Sequence, residues 1–192
     1  MGDGVNQAAD LVDTYLPAIR RIEDLQLLAP GLITAARIEF DRGSHSVARE
    51  LLEELDAVIK GKTAGYRDFA LAEAVRILAA LGEMEKAEDW LADSSGAAWR
   101  HEISRDTAAA IIAEAHGQYD EALVGYQAAA TEWKNYGFKQ EHAFSLLSAG
   151  RLLQMLGEEA KSQEHTESAR RLFDELGMPP EHEGLSDQSA TL

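Results

Sequence analysis

The 192-residue sequence contains no cysteine and only 4 prolines. The first absence excludes disulfides, thiolate nucleophiles and thiolate metal sites. The second leaves long stretches of chain open to helix, because proline is the strongest interior helix breaker. Positive charge is also scarce, with 18 basic residues against 34 acidic ones and a net charge of −16. Nucleic-acid binding needs Lys and Arg to displace phosphate counterions, and a field of this sign repels a polyanion. No run of basic residues offsets it, so no direct contact with nucleic acid is expected. Long apolar runs are missing as well: none approaches the ~20 residues of a membrane span. The opening MGDGVNQAADLVDT has no basic segment followed by an apolar block, so no secretory leader is expected and a cytoplasmic location follows.

What is present favours helix. Ala, Leu and Glu dominate, and these are strong helix formers. A hydrophobic content of 45% supports a core, and the length fits one domain or one short array. Glycine is distributed with a pattern. Gly43, Gly82, Gly117 and Gly157 end helix-like runs at separations of 39, 35 and 40 residues. Five residues after each stands a small side chain, Ala48, Ala87, Ala122 or Ser162. Seven residues before lie Ala36, Val75, Ala110 and Gly150. Glycine ends a helix cheaply in the left-handed conformation, and small residues let two antiparallel helices approach closely. A repeat of this length with a glycine in its middle indicates an array of helical hairpins.

The helix pairs are expected near 30–42/45–59, 66–81/84–94, 99–116/119–135 and 138–156/159–176, with Pro30 opening the first. Residues 1–29 form an N-terminal helix or half repeat, kinked or restarted at Pro17. The four hairpins occupy 30–177, joined by inter-repeat loops at 60–66 and 93–98. Residues 178–192 are polar after a Gly-Met-Pro-Pro stop and are expected to be disordered.

The unit AEAHGQYDEALVGYQAAATEW, residues 113–133, together with Ala110, resembles a tetratricopeptide repeat. Ala110, Gly117, Tyr119, Ala122, Tyr126 and Ala129 match that family's spacing. The other units are looser, with Val75 at a small position and Thr166 at the aromatic one, and none has the closing proline. The resemblance implies an all-α, tetratricopeptide-like stack of antiparallel hairpins in a right-handed superhelix. A second resemblance covers residues 15–177. The stretch EWKNYGFKQEHAFSLLSAGRLLQMLGEEAKSQEHTESARRLFDELG is similar to the C-terminal helical region of bacterial LuxR-type regulators and of ATPases joined to adenylate/guanylate cyclase domains. Trp133, Gly137, Arg151, Gly157, Phe173 and Gly177 are among the matching residues. It implies a sensor or interaction region of a signalling or transcriptional regulator.

Catalytic motifs fail one by one. GKT at 61–63 would need a glycine where Asp56 stands to complete a phosphate-binding loop, and a strand before it. The six histidines form neither an HExxH nor an ExxH arrangement, so no metal site is read. No GxSxG elbow is present. The expectation is a non-enzyme without metal or cofactor.

Recognition then falls to the first helix of each hairpin, which in tetratricopeptide arrays lines the concave groove. Six residues before the glycines stand Arg37, Arg76, Ile111 and Arg151. Three arginines at equivalent sites form a strip able to grip carboxylates through paired hydrogen bonds. The competing reading is internal pairing with Glu39, Glu73 or acids of adjoining helices. Phe69 and Phe144 are candidates for apolar contacts at the groove edge, with burial between helices as their alternative. Trp90, Trp99 and Trp133 are read as core or inter-repeat packing. The expected partner is a protein or peptide, possibly acidic. The alternative is a small effector held inside the superhelix, which requires one closed, aromatic-lined pocket.

Overall fold

The computed structural model describes the backbone of residues 3–62, 65–95 and 98–178, with side chains from residue 7 onward. Among these residues the regular structure is entirely helical. Nine helices follow in order: α1 (Asp3–Ile22), α2 (Leu25–Asp41), α3 (His45–Ile59), α4 (Gly65–Ala80), α5 (Met84–Ala92), α6 (Trp99–Ala115), α7 (Tyr119–Tyr136), α8 (Lys139–Met155) and α9 (Glu159–Leu176). They fall into two compact units, α1 to α5 ending at Ser95, and α6 to α9.

All four predicted corners are present and are built alike. Gly43, Gly82, Gly117 and Gly157 have φ between +75° and +78°. At Gly117 the glycine N–H donates to Glu114 O at 2.9 Å, and the Gln118 N–H donates to Ala113 O at 2.9 Å. The same two bonds recur at the other three corners, closing the orphan carbonyls of the helix end. The residue after each glycine, Ser44, Glu83, Gln118 or Glu158, takes a ψ near 60° and opens the next helix. Each corner therefore turns the chain back in a single residue plus a cap. The small positions serve the close approach that this return needs. Ala48, Ala87 and Ala122 are fully buried. An added Cβ on Gly125 of α7 would stand 2.8 Å from Ala110 Cβ of α6.

In the first unit α4 is the central helix. It packs on α2, α3 and α5, and its buried residues run almost all round the axis, from Ala70 through Leu78. Such a helix has no polar face to present. In contrast, α3 buries Ala48, Leu51, Leu52, Leu55 and Ile59, one stripe at helical spacing. In the second unit each helix packs on the next, α6 on α7, α7 on α8 and α8 on α9. Trp133 is the largest fully buried side chain there. Its Nε1–H donates to Thr107 Oγ1 at 2.9 Å, and that hydroxyl donates onward to Ile103 O at 2.7 Å.

Two boundaries differ from expectation. Pro30 does not open the first pair but lies inside α2, which starts at Leu25. Asp24 caps this end, its carboxylate accepting from Gln26 N–H at 2.8 Å. That cap and the burial of Leu28 and Ala29 outweigh the one hydrogen bond that proline removes. Helix α5 stops at Ala92 because the chain is tied back to α4: Asp68, fully buried, accepts from Ser95 N–H at 3.0 Å and from Ser95 Oγ–H at 2.6 Å. Pro17 stands inside a single helix, α1. Of the tail expected to be disordered, residues 179–192 lie outside the described residues, whereas Met178 packs against the cluster of Ala143, Phe144, Ala169 and Phe173.

Candidate binding faces

Arg37 and Arg76 come together on neighbouring first helices, and a carboxylate stands between them. Glu73 of α4 accepts from Arg37 Nη1 of α2 at 3.1 Å and from Arg76 Nη1 one turn further along α4. Arg37 is also held by Asp41 at 2.9 Å. All three members of the Arg37–Glu73–Arg76 cluster are largely buried, with side-chain exposures of 11%, 13% and 7%. Burial alone would raise the Glu73 carboxyl, but the two guanidinium charges outweigh it and hold it below the ordinary carboxylate range. Glu39, the other acid considered for these arginines, pairs with Arg42 instead.

Arg151 belongs to the second unit and shows the same principle. Its Nη2 lies 2.6 Å from Glu114 Oε1, and Glu114 also accepts from Tyr126 Oη–H at 2.7 Å. In both units, then, an Arg–Glu bridge links consecutive first helices, α2 to α4 and α6 to α8. The partners stand 36 and 37 residues apart, one repeat length. The three arginines are engaged within the fold, as the internal-pairing reading supposes. Phe144 is not at a groove edge: it is buried and meets Phe173 edge-on at 5.1 Å, because α8 and α9 close over it. Phe69 is 42% exposed. Trp90 and Trp133 are buried, but Trp99 departs from the packing expectation and is half exposed. It opens α6 and leans edge-on against Tyr136 of α7, with its Nε1–H on Glu132.

A cleft of the first unit lies elsewhere, between the second helices. It measures 570 Å³ and separates α3 from α5 above α4. Leu52, Ala57, Leu78 and Trp90 supply its apolar surface. Eight charged side chains ring it, four cationic (Arg49, Lys60, Arg67, Lys86) and four acidic (Glu53, Asp56, Asp89, Asp93). Arg67 stacks over the Trp90 ring at 4.5 Å and pairs with Asp56, fixing the indole and closing one end. Lys86 bridges Glu53 at 2.9 Å and Glu83 at 2.6 Å, and Arg49 also reaches Glu83. Hydrogen bonds from Lys86 and Arg49 hold the Glu83 carboxyl below its usual value, while the bonds to Glu83 and Glu53 raise the Lys86 amine. Among the described residues Lys60, at the cleft mouth, is in no ion pair. In a chain of net charge −16, this rim is neutral, with as many cations as acids.

Sequence reasoning missed this cleft. Its cations come from α3 (Arg49), the cap after it (Lys60), the start of α4 (Arg67) and α5 (Lys86), so no single repeated position marks it. The available signal was the shortness of the run from Met84 to the loop at Asp93, which leaves α5 with 9 residues against 15 in α3.

Among the described residues no group of three or more His, Asp or Glu is placed to hold a metal ion. None of the described helices is long and apolar enough to cross a membrane. No protein-family model and no curated protein matches this chain.

Proposed function

We propose that this chain is a protein-binding module, a tetratricopeptide-like array with a right-handed superhelical stack. Its role is the interaction or sensor region of a bacterial signalling or transcriptional regulator in the cytoplasm. The four identical corners support the repeat reading, and the resemblance over residues 15–177 supports the regulatory one. It has no catalytic role in this reading, since binding alone accounts for the surfaces it carries.

The observation that carries the binding role is the α3/α5 cleft. It offers an apolar floor for one or two side chains and, on a mixed-charge rim, Lys60 and Lys86 for a ligand carboxylate to approach. Lys86, exposed and shared with Glu53, exchanges this partner at small cost, because exposed ion pairs contribute only ~0.2–1 kcal/mol each. An extended peptide segment with an apolar side chain flanked by acidic ones fits these demands. A small effector requires an aromatic-lined enclosure, and this cleft has one aromatic among eight charged side chains.

The test is to pan a displayed random-peptide library against the whole chain and against a Lys60→Glu/Lys86→Glu variant. Enriched peptides should pair an apolar residue with neighbouring acids and lose binding to the variant. Peptides that bind both proteins equally would place recognition away from the cleft.

A further inference from the structure

The rim of the α3/α5 cleft has a spacing that a ligand must match. Lys86 of α5 reaches Glu53 of α3 at 2.9 Å. Lys60, the cap after α3, stands seven residues beyond Glu53, about 10 Å further along the axis. The apolar surface of the cleft comes from Leu52, Ala57, Leu78 and Trp90. A ligand that uses both lysines therefore needs two carboxylates about 10–15 Å apart, with an apolar side chain between them on the same side of its backbone. In an extended segment this is the pattern acid–x–apolar–x–acid. Alternate side chains share a face, and four residues span about 13 Å.

The chain carries that pattern in its own sequence after α9. Glu183, Leu185 and Asp187 stand at alternate positions, with Gly184 and Ser186 between them, and Glu181 continues the same face. The other leucine of residues 179–192, Leu192, has no acid within four residues. We propose that residues 181–187 of the same chain are a ligand of the cleft, with Leu185 on its apolar surface and Glu183 and Asp187 at Lys60 and Lys86. This rests on the reading of the cleft as a binding site and names an occupant for it. Lys60 is in no ion pair among the described residues, and Lys86 can exchange Glu53, itself 59% exposed, for the incoming carboxylate. One leucine and two exposed ion pairs make a contact with a Kd of the order of 1 mM. Leu185 lies seven residues past Met178, and a tether this short supplies an effective concentration of the same order. A second copy at micromolar concentration supplies about a thousandth of that. The segment therefore fills the cleft about half of the time and yields to a tighter partner.

Leu185→Ser in the full chain removes the apolar side chain. Hydrogen exchange in residues 45–60 and 84–93 should then run about twofold faster than in wild type, at any protein concentration. A fluorescently labelled peptide of residues 179–192 should bind the variant about twofold tighter than wild type. Both differences should vanish in a Lys60→Glu/Lys86→Glu background. Equal exchange and equal peptide affinity in wild type and Leu185→Ser overturn the proposal. So does protection that grows with protein concentration, which assigns the ligand to a second copy. If panned peptides still depend on Lys60 and Lys86 in those cases, the cleft stands as a binding site and only its internal ligand falls. Panned peptides indifferent to both lysines overturn the reading of the cleft and this proposal with it.

Discussion

Glu73→Gln tests how the first unit is held together. The substitution keeps shape and removes the charge between Arg37 and Arg76. Removing one partner of a buried ion pair costs about 3–5 kcal/mol, because the remaining charge stays in the interior. The 13% exposure of the Glu73 side chain and the second acid on Arg37, Asp41, place this site at the lower end, about 3 kcal/mol. At about 2–4 °C per kcal/mol for a chain of this length, the melting temperature should fall by about 6–12 °C at neutral pH. The pH dependence has a definite sign. The folded carboxyl titrates below its unfolded value, so its contribution is complete above about pH 4.3 and is lost as pH falls through the folded value. The gap between wild type and Glu73→Gln, followed by circular dichroism melts, should therefore narrow on acidification below pH ~4. An apolar triple replacement, Arg37→Met/Glu73→Leu/Arg76→Met, should recover most of the loss. A melting temperature within about 2 °C of wild type at pH 7 would refute the cluster as a structural bridge.

Other expectations follow from single positions. Gly117→Ala meets no atom within 4 Å, so its cost is conformational alone, about 1–2 kcal/mol for a left-handed alanine, readable by urea denaturation. Gly125→Ala gains about 1 kcal/mol of helix propensity but drives a methyl to 2.8 Å from Ala110 Cβ. Overpacking costs about 1–3 kcal/mol, so urea denaturation should show a net loss. Thr107→Val deprives the buried Trp133 indole of its acceptor and should cost about 1–3 kcal/mol, with a shift in tryptophan emission. Ser145 Oγ is buried with no hydrogen-bond partner among the described residues, so Ser145→Ala should be neutral or raise the melting temperature.

The corners were readable because a left-handed residue is a local demand that glycine alone meets cheaply, and the demand repeats. The helix at Pro30 was misread for the same reason in reverse. Proline is a strong local signal, but the Asp24 cap and the burial of Leu28 and Ala29 decide the start of α2 from outside its reach. The arginines illustrate a different limit. Their recurrence six residues before the glycines is visible in sequence. That Glu73 stands between two of them depends on α2 lying beside α4, which is a tertiary fact. The cleft was least visible, since it depends on how α3 and α5 stand over α4, another tertiary fact. Trp99 shows the converse case: a tryptophan is usually buried, yet this one begins its helix, is half exposed and leans on Tyr136 and Glu132.

The binding role is tested most directly by hydrogen exchange on the whole chain, free and saturated with a peptide enriched in the panning. The account predicts slowed exchange in the α3 segment 45–60 and the α5 segment 84–93, with α6 to α9 unchanged. Slowing confined to α6 through α9, with α3 and α5 exchanging as in the free chain, would contradict it.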